Sequence, residues 1–415
     1  MADSKTLAHT SQANGLKLGY LSSEYPGISH TFIFREIKTL REQGISVFTA
    51  SIRKPAHIDK MTSEEKKDSQ NTIYIKSSSI PHIIASHRSL IKKSFKSYLA
   101  MLAKSASFTV KAPHSVLKGI GYFIEAGILL SWMHKTGLNH VHVHFANPAA
   151  TVAMVASCFG TISFSVSVHG PDIFYNVDTA LLVQKVKRAK RIRCISLYCR
   201  SQLMRIIPYS MWEKLDIVRC GIDPDTFSPR PEPDNEIPEI LCVGRLVPAK
   251  GQHILLSACG LLKKRGIQFS LVFVGDGEDR PSLEHLAQQL GINNQVTFTG
   301  AIGQDQVVQY YNRADIFALV SFAEGVPVVL MESMAKQVPC VSTNITGIPE
   351  LIENSKTGML LQPSDVKGLA HALEILIADK ELRIELGKQG RTKVIEYYNL
   401  SANCRMMAGF FKNFL

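Results

Sequence analysis

Glu239-Ile-Leu-Cys-Val-Gly-Arg245 reads as an apolar strand running straight into a glycine-bearing loop, and the chain after it repeats that design. Helical spacing over 251–265, 280–290, 303–313 and 326–336 alternates with short apolar runs at 269–275, 295–299, 315–320 and 339–343. Short strands alternating with helices of this length are joined by right-handed crossovers, so they build one parallel, doubly wound α/β sheet. The same grammar stands near the start: a strand at 16–21, a loop over 22–30, an amphipathic helix over 31–43 stopped by Gly44, and a strand at 45–51. A chain of 415 residues exceeds what one core usually supports, so two domains of about 200 residues each are expected. The boundary falls in Ser228-Pro-Arg-Pro-Glu-Pro-Asp-Asn-Glu-Ile-Pro238, whose prolines resist both helix and central strand. The expected division is a tail 1–14, an N-terminal domain 15–228, a linker 229–238, a C-terminal domain 239–394, and a closing helix within 395–415 that packs back on the first domain. Two such domains facing across a cleft bring together the loops at the carboxyl ends of their strands, where open α/β sheets bind ligands.

Composition narrows the class. Hydrophobic residues at 45% and charged residues at 20% describe a globular protein. The eight cysteines are scattered, without CxxC pairs or histidines at zinc spacing, and read as reduced core thiols of a cytoplasmic protein. Residues 1–14 are polar and lack the apolar centre of a secretory signal. Residues 136–171 contain no charged side chain, but Asn147-Pro148, Gly160 and a run of serines divide them into a helix and a short strand, against a membrane span. The net charge of +12 is uneven: residues 1–238 hold 30 Lys and Arg against 18 acids, while 239–415 hold 17 against 17. The excess is densest over 70–124, where basic residues interleave with Ile, Leu, Phe and Tyr. The segment from Ile91 through Leu102 has the outline of one basic amphipathic helix, suited either to an anionic membrane surface or to an ordinary solvated face. No recognition helix, RNP-type motif or zinc finger supports nucleic acid as a partner.

The loops of the second half carry the chemistry. Arg245 and Lys250 stand five residues apart on one loop that opens a helix, two cations that suit a diphosphate or form a solvated pair. Gly275-Asp276-Gly277 is a tight turn whose glycines serve packing. Gly300-Ala301-Ile302 is flat and apolar enough to lie against a base. Glu324 sits in the loop after a strand and Glu332 within the following helix, with seven residues between them. Such a pair by itself reads as two surface acids. All these loops, however, follow strands of a single sheet and converge at its carboxyl edge.

The segments GRLVPAKG, VGDGEDRPSLE, VTFTGAI, ADIFALVSFAEGVPVVLMESMAKQVPCVST, GIPELI and TGMLL, in that order across 240–363, resemble the retaining GT-B glycosyltransferases of glycosyltransferase family 4. In the first half, Tyr25-Pro-Gly-Ile-Ser-His-Thr-Phe-Ile-Phe-Arg-Glu36 and His140-Val-His-Val-His-Phe145 with Ser167-Val-His169-Gly-Pro-Asp172 resemble the exopolysaccharide and colanic-acid-biosynthesis type. The resemblance implies two Rossmann-like domains and transfer of a hexose, with retained configuration, from a nucleoside-diphosphate sugar to a glycan or polyprenyl-linked saccharide. It implies that Arg245 and Lys250 hold the diphosphate, Gly300, Ala301 and Ile302 lie at the base, and Glu332 binds the ribose hydroxyls. Glu324 would contact the transferred sugar, with Gly325, Val326, Pro327 and Val328 around it. Pro327 has no N–H and contributes shape only. His169 would sit beside the sugar, and Gly27, Ser29, His30 and Asp172 would face the acceptor. Where many relatives carry an aromatic residue and glycine after the first glutamate, this chain has Gly325-Val-Pro, and where exopolysaccharide relatives carry an acid it has His30.

No cofactor or catalytic metal is expected of such an enzyme, and His140, His142 and His144, alternating on one strand face, are read as buried hydrogen-bonding residues. The expected location is the cytoplasm, either free or peripheral on the inner face of the plasma membrane with residues 70–124 against its anionic surface. The rival readings are a nucleotide-sugar epimerase on similar domains and a non-enzymatic basic protein binding membrane or nucleic acid. The donor nucleotide, UDP or GDP, stays open.

Overall fold

The computed structural model describes residues 15–27, 31–56, 58, 61–109, 115–170, 172–175, 177–178 and 181–415. Seven strands make the first sheet: β1 Lys17–Glu24, β2 Ser46–Arg53, β3 Ile73–Tyr74, β4 His140–His144, β5 Ser163–Val168, β6 Ile192–Cys194 and β7 Leu215–Ile217. Six make the second: β8 Glu239–Val243, β9 Ser270–Val274, β10 Val296–Phe298, β11 Ile316–Leu319, β12 Cys340–Thr343 and β13 Met359–Leu361. Their spatial orders are β3-β2-β1-β4-β5-β6-β7 and β10-β9-β8-β11-β12-β13, with every ladder parallel. Each sheet therefore reverses its winding once, between β1 and β4 and between β8 and β11. Those switch points open the crevices in which doubly wound sheets take ligands.

Buried aliphatic strands explain the parallel pairing, since both faces of each sheet are covered. Leu241, Val243, Phe317 and Leu319 pack into one cluster, and Ile240, Cys242, Ile316 and Ala318, the alternate residues of the same strands, into another. The first of these clusters also takes in Ile195, Cys220 and Ile222 from the first half of the chain, so apolar packing is continuous between the halves. The helix Leu400–Lys412 buries Cys404, Met407 and Phe411 in a cluster with Leu18, Tyr20, Ile33 and Ile37.

Residues 136–171 hold β4, the helix Pro148–Ser157 and β5, and among the described residues no helix is long and apolar enough to cross a membrane. The single amphipathic helix expected through Ile91 and Leu102 is two helices, Ile80–Lys93 and Phe95–Thr109. Ser94 divides them: its extended backbone, at φ −165° and ψ 102°, ends the first helix, and its hydroxyl accepts from the Ser97 amide at 3.2 Å to cap the second.

Candidate active site

Three loops lock together at the carboxyl edge of the second sheet. The Gly244 amide donates to Val274 at 2.9 Å, the Leu246 amide to Asp276 at 3.0 Å and the Gly275 amide to Gly300 at 3.1 Å. Gly275 has φ 143°, and a Cβ there would lie 1.9 Å from the Gly244 carbonyl, so this turn is packing hardware, as its glycines predict. The base-side residues Gly300, Ala301 and Ile302 follow directly, with Ala301 exposed and Ile302 half-buried.

Lys250 closes the short 3₁₀ turn Pro248–Lys250, and Gly251 ends it at φ 65°. A Cβ on Gly251 would come within 2.3 Å of the Val320 carbonyl, and the Phe322 amide donates to Ala249 at 2.8 Å. The turn after β8 is thereby pinned to the end of β11. The consequence is an ion pair: Lys250 Nζ lies 2.5 Å from Glu324 Oε1, which also accepts from Ser321 Oγ at 2.7 Å. Glu324 is only 9% exposed. The Arg245 side chain is exposed and has no ion-pair or hydrogen-bond partner among the described residues; only its carbonyl is engaged, by Gln252 Nε2 at 2.8 Å.

Glu324 is followed by a close approach between the two halves. A Cβ on Gly325 would fall 1.9 Å from the His169 carbonyl, so only glycine lets this loop meet the end of β5. Pro327 caps the helix Val328–Ala335. The amides of Gly325, Val326 and Val328 find no acceptor among the described residues, and they lie at the end of a helix whose dipole favours negative charge.

Glu332, one turn into that helix, belongs to a different cluster. Its Oε1 accepts from Arg35 Nη1 at 2.9 Å and its Oε2 from Tyr311 at 3.0 Å. Arg35 comes from the helix Thr31–Glu42 of the first half and stacks 5.1 Å over the Phe227 ring. The structure thus brings Lys250, Glu324, Gly325 and His169 together and leaves Glu332 buried beside them, with both carboxylate oxygens engaged.

His169 sits at the end of a histidine–serine ladder. β4 and β5 pair His140 with Ser163, His142 with Ser165 and His144 with Ser167. His140 bridges Ser163 and Ser165 at 2.8 and 2.9 Å, and His142 bridges Ser165 and Ser167 at 2.7 Å each. At the third step the ladder changes partner: His144 Nδ1 meets His169 Nε2 at 3.0 Å, and His144 Nε2 lies 3.3 Å from Glu36 Oε1, within ion-pair range though not in line for a hydrogen bond. Arg193 holds the other Glu36 oxygen at 2.6 Å. Burial would raise the Glu36 carboxyl, but Arg193 and then His144 outweigh it and hold it well below the usual carboxylate range. An ionised Glu36 assigns the His144 proton to Nε2, leaving Nδ1 to accept from His169 Nε2–H. Burial also pushes His142 and His144 down, and His140 to about 3.

Gly27 is buried just past β1, at the switch point of the first sheet. Ser29 and His30 lie outside the described residues, as does the side chain of Asp172, whose backbone starts the short helix Asp172–Tyr175. Sequence reasoning missed Glu36 and Arg193, although Glu36 carried a signal. It stands on the apolar face of its helix with Ile33, Ile37 and Leu40, where an acid requires a buried cation. It also missed Glu350, whose carboxylate accepts the Leu197 and Tyr198 amides at 2.9 and 2.8 Å and so caps, from the second half, the helix Leu197–Ile206 of the first.

A two-sheet fold of this kind, with a cation–carboxylate pair at one switch point facing a histidine across the cleft, defines a GT-B-like protein. Residues 224–393 match the family described as Glycosyl transferases group 1. The chain is 28% identical, over 95% of its length and 98% of the relative's, to a provisionally named colanic acid biosynthesis glycosyltransferase of Escherichia coli K12. It is also 28% identical, over 64% of its length and 74% of the relative's, to a GDP-mannose-dependent phosphatidylinositol monomannoside mannosyltransferase of Mycobacterium tuberculosis. Among solved structures, the sucrose-phosphate synthase of Thermosynechococcus elongatus superposes with a TM-score of 0.75 at 18% identity, covering 96% of this chain and 98% of that one. Anabaena HepE in complex with UDP-glucose superposes at 0.74 and 17%, covering 96% and 100%.

Proposed function

We propose that the protein transfers a hexose, with retention of configuration, from a nucleoside-diphosphate sugar to a saccharide or lipid-linked saccharide in the cytoplasmic assembly of a cell-surface polysaccharide. The observation that carries this reading is the Lys250–Glu324 pair beside the Gly325–His169 contact, which sets a cation, a carboxylate and unpaired helix-terminal amides at one mouth. Arg245 and Lys250 neutralise the diphosphate as its charge develops, and the amides of Gly325, Val326 and Val328 add donors. That fixed positive charge does the work a metal would otherwise do, so no catalytic metal enters the reading. Glu324 binds the transferred sugar and stabilises its positive charge. Glu332 reaches the ribose once Arg35 yields it, with the base against Gly300, Ala301 and Ile302. His169 sits beside the transferred sugar, and Gly27, Ser29, His30 and Asp172 are assigned to the acceptor. The relatives named for polysaccharide biosynthesis support the pathway class, and the UDP-glucose complex of a structural neighbour supports a nucleotide-sugar donor.

Thermal shift with UDP, GDP and ADP identifies the nucleotide, because only a well-matched ligand raises Tm appreciably. Turnover of the matching radiolabelled nucleotide sugars follows, with the product anomer read by NMR and EDTA included. An inverted product, or turnover abolished by EDTA and restored by a divalent ion, overturns the reading. No turnover with any donor, together with salt-sensitive DNA binding, would favour a binding protein.

A further inference from the structure

Between β3 and β4 the chain inserts three helices, Ile80–Lys93, Phe95–Thr109 and Ser115–Thr136. Their inner faces bury Leu90, Met101, Ala126 and Leu129 in the core of the first domain. Their outer faces are unusual for a water-facing surface. Ile80, Ile84, Ile91, Phe95, Leu99, Leu102, Leu117 and Ile120 are between 38% and 80% exposed, and they are eight of the nineteen large apolar side chains left exposed among the described residues. Single exposed leucines are ordinary, but a concentration of this kind marks a contact surface.

The charge around them has one sign. Residues 71–124 contain no Asp or Glu. Arg88, Lys92, Lys93, Lys96, Lys104 and Lys118 are exposed, and none has an acidic partner among the described residues; Lys76 alone pairs, with Glu125 at 3.4 Å. On the first helix the two characters share one stripe. A groove of about 560 Å³ runs along it, lined by Ile80, Pro81, Ile84 and Ala85 towards one end and by Arg88 and Lys92 towards the other.

We propose that this three-helix face docks the protein on an anionic lipid bilayer, its aliphatic side chains entering the headgroup boundary and its cations meeting lipid phosphates. The observations select this occupant over two others. A second copy of the face would set its unpaired cations against each other. Single-stranded nucleic acid would want aromatic stacking platforms, and of the eight exposed apolar chains only Phe95 is aromatic. A lipid surface uses both characters at once, and with no membrane-crossing helix among the described residues the contact is interfacial. The proposal is independent of the donor and acceptor, since binding is read without either.

Flotation of the full chain tests it. With vesicles of one part phosphatidylglycerol to two parts phosphatidylcholine at low salt, the protein should float. With phosphatidylcholine alone, or at high salt, recovery should fall steeply. The triple variant Lys92→Glu, Lys93→Glu, Lys96→Glu should lower partitioning about a hundredfold, and Ile84→Ser with Leu117→Ser should lower it at unchanged charge. Because all five positions are exposed, Tm should hold, and size-exclusion should show the same monomer before and after substitution. Failure to float with anionic vesicles overturns the proposal, as does equal flotation of the triple variant. A dimer that Ile84→Ser with Leu117→Ser dissociates would show that a second copy covers the face instead, and tight salt-sensitive RNA or DNA binding with no flotation would assign it to nucleic acid.

Discussion

The two glutamates divide their work by the partners they keep. Glu324 is held by Lys250 and Ser321 at the cleft, so Glu324→Gln should lower kcat by about two to three orders of magnitude while changing donor Kd far less. Glu332 is tied to Arg35 and Tyr311, so Glu332→Gln should chiefly weaken the donor. It should also lower stability by about 1–3 kcal/mol, because Arg35 is left facing a neutral amide. Steady-state kinetics with calorimetric donor titration checks both, and the reverse assignment of effects would show the two ends exchanged. His144 offers a cleaner substitution. His144→Gln keeps an acceptor for His169 and a polar group beside Glu36, whereas His144→Leu strips both and should cost about 2–4 kcal/mol and most of kcat. Equal Tm and turnover for the two variants would show that His169 does not depend on this contact.

At the scale of elements, the β4–β5 ladder makes stability pH-dependent. His140 titrates near 3 in the folded protein against 6.5 as its ordinary value, so the unfolded chain binds the extra proton first as pH falls. The folded state is fully favoured above about pH 6.5 and loses stability between there and about pH 3. At pH 5 His140 alone accounts for about 2 kcal/mol. Tm measured from pH 8 to 4 should fall below about 6.5, and His140→Gln should flatten that slope while leaving the pH 8 value less affected. The alternation of histidine with valine on β4 announced a shared face, but it did not announce the serines that fill it. Those belong to a strand more than twenty residues on, and only parallel register sets them opposite. Likewise, the basic stretch was legible as an amphipathic surface, whereas its break at Ser94 was not. A single extended serine is a weak signal inside a run that keeps helical spacing on both sides.

Across the whole molecule, the halves are fastened at separate points: Arg35 to Glu332, Gly325 to His169, and Glu350 to the amides of Leu197 and Tyr198, with Arg219 3.4 Å from the same carboxylate. Glu350→Ala removes a cap and an ion pair without touching the cleft. It should lower Tm by a few degrees and enlarge the radius of gyration measured by X-ray scattering in the absence of donor. An unchanged scattering profile would mean that the remaining contacts and the apolar packing between the halves suffice. The alternation of strand and helix, and with it the doubly wound architecture and the loops that could bear a ligand, was determined by the sequence alone. Periodicity and glycine placement are local properties that need no knowledge of neighbours. Only the tertiary structure decided which loops meet. β8 lies beside β11 and β1 beside β4 because the winding reverses there, and this joins Lys250 to Glu324 across 74 residues and Arg35 to Glu332 across 297. Contacts over such separations follow from strand order and domain packing, and no local spacing in the chain encodes either.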